Sequence, residues 1–366
     1  MNPYEPYKFK NGVIMRNHFA LAPMTTYSSN DDLTLSDEEE NYYHLRSKNI
    51  GMVITAAAAV SKNAQAFDHQ ISVRDERYYD SMKRLRKAIK SGGALSVLQI
   101  HHGGRMNVPN MYPNQDIVAP SAVKADREYT ITPRALKTSE VYDTIDDFVN
   151  ASKLAMKAGF DGVEIHGANT YLLQQFFSPH SNQRDDEFGG NLQKRMFFAK
   201  KIVEGILQAK EELNKPNFIV GYRFSPEELE NPGITINDTL QFVDVLADYP
   251  IDYLHVSLGK FNQTPIRDEK DREPLATKLL RMIDGRLPLM GVGGISTKED
   301  VEAASELGYD LLSVGMVALA DPDVVLKFQL DERPNNVFTH KTLPEPLYTR
   351  LHRYGSRLVG YHFEEE

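Results

Sequence analysis

The chain contains no cysteine. Disulfides, a thiolate nucleophile and an iron–sulfur cluster held by cysteine are thereby excluded. The absence also fits a reducing compartment, and the expected location is cytoplasmic. No apolar run approaches the ~20 residues that a membrane helix needs, so no membrane association is expected. The opening residues Met1-Asn2-Pro3-Tyr4-Glu5 lack a basic stretch followed by an apolar one and do not read as a secretory signal. Positive charge is in deficit: 42 Lys and Arg stand against 51 Asp and Glu, for a net charge of -9. No stripe concentrates the basic residues, so no nucleic-acid partner is expected. The acidic runs Asp37 to Glu40 and Glu364 to Glu366 read as solvated surface.

No low-complexity tract or Ser/Pro linker divides the 366 residues, of which 41% are hydrophobic and 25% charged, an ordinary globular balance. Asn11-Gly12 predicts a hairpin over Tyr7 to Ile14. Strands are predicted at Phe19 to Ala22, Met52 to Ala57, Ala94 to Ile100, Gly162 to Ile165, Phe218 to Phe224, Tyr253 to Val256, Leu287 to Gly291 and Asp310 to Val314. Helical patterns separate them. Ser36 to Ser47 begins with Ser36 as N-cap and Glu39 as its capping-box partner, and Asp80 to Lys90 follows. Ile145 to Lys157 is stopped by Gly159, Leu192 to Leu213 is long and amphipathic, and Asn237 caps a helix to Leu246. Leu275 to Ile283, Thr297 to Glu306 and Asp323 to Leu330 complete the series.

About eight strand–helix repeats in order predict an α/β fold, a (β/α)8 TIM barrel formed as one domain over residues 1–330 with an N-terminal hairpin. Residues 103–140 have few apolar repeats and several prolines, and are expected to form a lid loop after the third strand. Residues 331–366 are expected to be a C-terminal extension packing on the barrel or at a subunit interface, with a homo-oligomer left open.

In such a barrel, chemistry sits just past the carboxyl ends of the strands. There the sequence places Ala22-Pro23-Met24-Thr25-Thr26-Tyr27, Ala56 to Ala59, Gln99-Ile100-His101-His102-Gly103-Gly104-Arg105, His166-Gly167-Ala168-Asn169-Thr170-Tyr171, Arg223, Gly291-Val292-Gly293-Gly294 and Gly315-Met316. His166 and Asn169 can both donate hydrogen bonds to one oxygen, and Tyr171 can deliver a proton nearby. Those are the parts needed to polarise a conjugated carbonyl and complete its reduction. Small residues after the second strand leave room for something flat. Glycines after the last two strands offer backbone N–H groups to a phosphate. His101-His102 has no carboxylate or Cys at ligand spacing, so no metal is expected. Gly291-Val292-Gly293-Gly294 is not a Rossmann fingerprint, position 296 being Ser, and no second dinucleotide domain is expected.

These motifs resemble the Old Yellow Enzyme family of FMN-dependent NAD(P)H oxidoreductases, in its bacterial branch. The likeness is carried by Ala22-Pro23-Met24-Thr25, Gln99 to Arg105, Glu164 to Tyr171, Phe177-Ser178-Pro179, Asn182, Arg184, Asp186 to Gly190 and Arg195, and it runs through roughly residues 5–330. The resemblance implies non-covalent FMN, NAD(P)H as electron donor and a small-molecule acceptor. Pro23, Met24 and Thr25 would contact the cofactor, Thr25 by a hydrogen bond to the flavin carbonyl beside N5. Ala57 would offer its backbone, Gln99 would pair with the pyrimidine edge, and Arg223 would sit near N1 and O2. The amides of Gly293, Gly294, Gly315 and Met316 would cradle the phosphate. His166 and Asn169 would bind the substrate carbonyl or the nicotinamide amide, Tyr171 would protonate the α-carbon, and Tyr27 would line the pocket. The implied activity is ene reduction, with hydride passing from NAD(P)H to FMN and on to the β-carbon of an α,β-unsaturated carbonyl compound. The alternatives are a flavin reductase using a quinone, a nitro compound or oxygen, a non-catalytic FMN-binding barrel, and a phosphate-binding aldolase or isomerase. The last would want a strand-end Lys or carboxylate base, and no clear candidate is present.

Two departures stand out. Met316 occupies a position where many relatives carry Arg, which implies weaker FMN binding. The stretch from Tyr348 to Glu366 does not resemble the tail with which some relatives reach a neighbouring subunit's active site, and its basic cluster, Arg350, Arg353 and Arg357, receives no catalytic role.

Overall fold

The computed structural model describes residues 2–355 and 358–364, so Arg357, Glu365 and Glu366 lie outside the described residues. Its frame is a ring of parallel strands: β1 (Phe19–Leu21), β2 (Met52–Ile54), β3 (Leu95–His101), β4 (Gly162–Gly167), β5 (Ile219–Phe224), β6 (Tyr253–Val256), β7 (Leu289–Val292) and β8 (Leu311–Val314). Each strand pairs with the next, and Val314 of β8 registers with Leu21 of β1 to close the barrel. Closure leaves no free sheet edge. Helices α1 (Asp37–Arg46), α2 (Tyr79–Ser91), α3 (Thr138–Ala158), α4 (Phe197–Glu212), α5 (Ile236–Ala247), α6 (Leu275–Ile283), α7 (Lys298–Glu306) and α8 (Val324–Gln329) surround it. This is the expected TIM barrel. No described helix is long and apolar enough to cross a membrane.

Alternation along the strands divides the apolar side chains between two cores. Outward-facing residues pack against the helices. Inward-facing Ala20, Met52, Ile54, Val97, Ile219, Met290 and Leu311 fill the lower barrel. The N-terminal hairpin closes that end: Tyr7 pairs with Met15 and Lys8 with Ile14, while Phe9 and Met15 are buried in the inner core. Gly12, at φ +89°, makes the turn that Asn11-Gly12 predicted. With its lower half sealed by apolar side chains, the barrel confines its polar interior to the opposite, carboxyl end.

Several boundaries differ from expectation. Helix α3 starts at Thr138, not Ile145, because buried Val141 extends the apolar stripe by a turn and Glu140 accepts from the Lys137 N–H at 2.7 Å. The lid therefore ends near residue 137, and it carries a short parallel pair, Val118–Ala119 with Arg134–Ala135. The long helix from Leu192 is two, Leu192–Arg195 and α4, with Arg195 held by the carbonyls of Phe177 (2.9 Å) and Gly190 (2.7 Å). Helix α5 is capped by Thr235 rather than Asn237, through a reciprocal bond pair with Asp238. The run Asp37 to Glu40 is not wholly solvated, since Glu39 is buried. Its carboxylate turns inward instead of returning to the cap, so only the Ser36 half of the capping box forms.

One buried cation ties α1 to the far end of the chain. Arg46 donates to the carbonyls of Ala318 (2.8 Å), Leu319 (2.9 Å) and Thr342 (2.8 Å), and its guanidinium lies 4.1 Å from the centre of the Tyr42 ring. Ala318 and Leu319 end the short helix Met316–Ala320, whose last carbonyls need donors. Beyond it, Val337–Phe338 pairs with His362–Phe363, and a helix over Glu345–Arg353 buries Leu347, Tyr348 and Leu351. Arg46→Met should strand these carbonyls and lower stability by about 3 kcal/mol. A urea midpoint unchanged from wild type would show that Arg46 does not anchor this end of the barrel.

Candidate active site

The loop after β1 is held from below by Glu39, which accepts from the hydroxyls of Thr26 and of Ser29 (2.7 Å). Burial raises the Glu39 carboxyl above its ordinary range, against the pull of these donors. Pinning Thr26 and Ser29 fixes the path of Pro23, Met24, Thr25 and Tyr27, which remain partly accessible. Tyr27 adopts φ +57°, a left-handed conformation that a tyrosine reaches only when its surroundings impose it. Its ring meets Phe67 edge-on at 5.8 Å and lies 3.8 Å from the guanidinium carbon of Arg350, which also bonds Asp68 at 3.2 Å. The C-terminal helix thus reaches Tyr27 from within the same chain. Sequence reasoning singled out the arginine but had no means of seeing this contact.

Beside this loop, the ends of β3 and β4 bring imidazoles and a phenol together. Tyr171 meets His101 edge-on at 4.4 Å and His166 at 5.2 Å between ring centres, and Phe67 lies 5.9 Å away. His166 Nδ1 accepts from the Ala168 N–H at 3.4 Å, which leaves Nε2 as the N–H donor. Burial, then His101 and Arg223, drives the His166 pKa well below its ordinary value, so the ring is neutral. Burial, then Tyr27 and Tyr129, pushes the Tyr171 phenol far upward, so it keeps its proton. Tyr129 and Arg127 of the lid act electrostatically on this same phenol.

Asn169 is oriented by a different route. At φ +57°, its N–H donates to Ser225 Oγ at 2.9 Å, and its Oδ1 accepts from Ser257 Oγ at 2.8 Å. With the carbonyl so occupied, the Nδ2 amine is the end left to donate. Ser257 also accepts from Arg223 at 3.2 Å, so Arg223, Ser257 and Asn169 form one chain. The structure therefore gathers His166, Tyr171 and Tyr27 by ring contacts and joins Asn169 to Arg223 through a serine that the sequence reading did not include.

Below them lies a fully buried carboxylate. Glu164 accepts from Gln99 Nε2 at 2.7 Å and from Tyr253 Oη at 3.0 Å, and His255 Nδ1 lies 2.9 Å from its Oε2. Burial raises its pKa, but His255, Arg223 and Gln99 together outweigh that and hold it below the ordinary range. An ionised carboxylate only accepts, so His255 carries its proton on Nδ1. Gly221 sits between Glu164 and Tyr253 in the strand register, and a Cβ there would fall 2.1 Å from the tyrosine ring. Glycine at 221 is what lets Tyr253 reach across β5. Gln99, expected at a flavin edge, has one end of its amide committed to Glu164. The alternation that turns His166 inward turns Glu164 inward too, and that was the sequence signal for it.

The residues fit FMN on observations of the protein itself. Gly293 and Gly294 both have positive φ, +108° and +70°, a backbone path open to glycine that leaves their N–H groups clear of any side chain of their own. A Cβ at 293 would fall 2.6 Å from the Leu258 carbonyl, whereas the space beside Gly294 is open. Gly315 precedes the helix Met316–Ala320, whose first N–H groups have no helical acceptor. Ala57 is buried, and its carbonyl accepts from Gln70 at 2.9 Å. The buried Arg223 Nε has no hydrogen-bond partner among the described residues.

His101 and His102 are buried and neutral. Gln70 Nε2 lies 3.1 Å from His101 Nδ1, and the Gly104 N–H donates to His102 Nδ1 at 3.0 Å. Among the described residues, no three His, Cys, Asp or Glu side chains gather as a metal site. Burial depresses both imidazoles to about 3, with His102 adding to the effect on His101. The unfolded chain binds these protons near 6.5 and the folded chain does not, so stability is full above that pH and falls as pH drops toward 3. Each group should contribute a loss of about 1.4 kcal/mol per pH unit within that window. Urea midpoints at pH 7 and pH 5 check this for wild type and His102→Asn. The variant should lose less on acidification, and an equal loss would remove His102 from the account.

Residues 3–336 match the NADH:flavin oxidoreductase / NADH oxidase family. The chain is 42% identical over 364 residues to the probable NADH-dependent flavin oxidoreductase YqiG of Bacillus subtilis, covering 96% of this chain and 97% of that protein. It is 40% identical over 327 residues to the NADH:acrylate oxidoreductase of Vibrio harveyi, covering 88% of this chain but 33% of that protein. It thus spans about a third of that second relative, whose name describes the whole protein. Among solved structures, the Old Yellow Enzyme homologue from Zymomonas mobilis superimposes with a TM-score of 0.81 at 24% identity, over 94% of this chain and 99% of that one, a likeness of fold. With a relative aligned end to end and the family match running through the whole barrel, this chain belongs to the NADH:flavin oxidoreductase / NADH oxidase family, the Old Yellow Enzymes, which are enzymes that use FMN with NAD(P)H as electron donor.

Proposed function

We propose that this oxidoreductase is an ene-reductase that takes α,β-unsaturated carbonyl compounds as acceptors. FMN, when bound, supplies the two-electron chemistry, accepting hydride from NAD(P)H and returning it to the β-carbon of the acceptor. The protein supplies the rest. His166 Nε2 and Asn169 Nδ2 are the donors left free by the bonds that fix their other ends, and they stabilise charge developing on the acceptor's carbonyl oxygen. A neutral imidazole donates a hydrogen bond there without surrendering its proton. Tyr171, held protonated, gives its proton to the α-carbon. Arg223 and Gln99 would hold the pyrimidine edge, Thr25 would bond the carbonyl beside N5, and Pro23, Met24 and Ala57 would border the ring. The amides of Gly293, Gly294, Gly315 and Met316 would take the phosphate. Tyr27, with Phe67 against it, lines the acceptor pocket.

The observation that carries this reading is the contact between a neutral His166 and a protonated Tyr171, 5.2 Å apart at one strand end. A donor for an oxygen and a donor for a carbon are what reduction of a conjugated carbonyl requires. Tyr171→Phe should slow reoxidation of the reduced flavin by 2-cyclohexenone by about 10²–10⁴-fold. Flavin reduction by NADH, followed by stopped-flow absorbance, should change little. Equal losses in both half-reactions would remove the proton-donor role.

Met316, at the start of its helix, has no cation to offer the phosphate. Met316→Arg should tighten FMN binding about tenfold through a charge-assisted bond. FMN fluorescence titration of apoprotein measures this, and unchanged affinity would place the phosphate away from Met316.

A further inference from the structure

The fully buried cluster around Glu164 touches neither end of the proposed proton path. Its members nevertheless adjoin both side chains expected at the flavin's pyrimidine edge. Gln99 donates to one oxygen of the carboxylate at 2.7 Å, while Tyr253 (3.0 Å) and His255 (2.9 Å) hold the other. On β5, Arg223 is registered between His166 and His255, and the Glu164 charge acts on its guanidinium. A carboxylate this dry would be costly without compensation, and the strand register is arranged to keep it: Gly221 removes the side chain that would stand between Glu164 and Tyr253.

We propose that Glu164 is a positioning residue that sets the reduction potential of bound FMN, by orienting the Gln99 amide and by offsetting part of the positive charge of Arg223. The inference rests on the placement of Gln99 and Arg223 against the flavin's pyrimidine edge. Because one Nε2–H of Gln99 is given to the carboxylate, the amide is fixed in one orientation, with its carbonyl oxygen and its second N–H left for the cofactor. Because the Glu164 charge acts on Arg223, the field at N1 and O2 would be that of a cation partly neutralised. Reduction places negative charge at that edge, so an uncompensated arginine would favour the reduced form too strongly for easy hydride release to an acceptor. The carboxylate restores the balance.

Sulfite is a suitable probe. It adds as a nucleophile to N5 of oxidised flavin and moves one negative charge onto the N1–C2=O region, bleaching the visible band without any substrate. Removing Glu164's charge should stabilise that product. Glu164→Gln is expected to bind sulfite at least roughly tenfold more tightly, with a more positive midpoint potential measured against a reference dye. Tyr253→Phe keeps the carboxylate but strips one donor from it, concentrating its charge, so it should weaken sulfite binding by about threefold. Arg223→Gln should weaken it more. Opposite signs for Glu164→Gln and Tyr253→Phe are not expected of a merely structural cluster. If Arg223→Gln shifts sulfite affinity and Glu164→Gln does not, the assignment of Glu164 fails. If neither shifts it, Arg223 is not at the flavin, and the placement beneath this inference fails with it. Should Glu164→Gln not retain FMN, Tyr253→Phe decides: weaker binding supports the proposal, and unchanged or tighter binding overturns it.

Discussion

The backbone bonds that join β8 to β1 are the constraint on which the site depends. Once Val314 registers with Leu21, the first and last strand ends become neighbours, and the Ala22 to Tyr27 loop comes beside Gly315 and Met316. A Cβ on Gly315 would lie 3.6 Å from Ala22 Cβ and 3.7 Å from Met24 Sδ, which shows how closely these segments meet. Residues some three hundred positions apart are thereby set on one rim. An open sheet of the same strands would leave them at opposite edges, with unpaired backbone groups besides. The N-terminal hairpin completes the arrangement by sealing the lower barrel with Phe9 and Met15.

Closure creates an electrostatic difficulty, because the side chains that converge on the rim are removed from water. Their charge states follow from that. Burial keeps His101, His102 and His166 neutral and Tyr171 protonated. Glu164 stays ionised only because Gln99, Tyr253 and His255 surround it and Arg223 stands close. The result is a set of neutral donors, a protonated phenol and a buried carboxylate compensated by hydrogen bonds. The fold reaches them by desolvation and hydrogen bonding rather than by choice of unusual residues.

Orientation is supplied by small neighbours. The Ala168 N–H selects the His166 tautomer, Ser257 turns the Asn169 amide, and Glu164 turns the Gln99 amide. Each bond fixes one polar end and leaves the other without that partner. Donors fixed before substrate arrives need no reorganisation when charge develops, and this is where such sites gain most of their rate. The C-terminal helix adds Arg350 against Tyr27, so this part of the rim is finished by a segment outside the strand–helix repeats.

By itself the sequence determined the barrel and the membership of its rim. Short apolar runs alternating with helical stripes specify strands and helices locally, and their order specifies closure. His166, Asn169, Tyr171, Thr25, Gln99 and Arg223 were legible because a strand end is a local feature that a motif marks. Boundaries were less so: Thr235 displaced Asn237 as a cap, and α3 began at Thr138, about two turns before Ile145, because caps and apolar stripes compete to set where a helix starts. What only the tertiary structure decided were the partners. Glu39 among four acidic residues reads as solvated in sequence, and Arg350 among several basic ones shows no sign of its partner, because burial and contact depend on what packs against them. Ser257, Tyr253, His255 and Gly221 carry no motif of their own. They matter through register between strands, and register sets which side chains share a layer only once the sheet has closed.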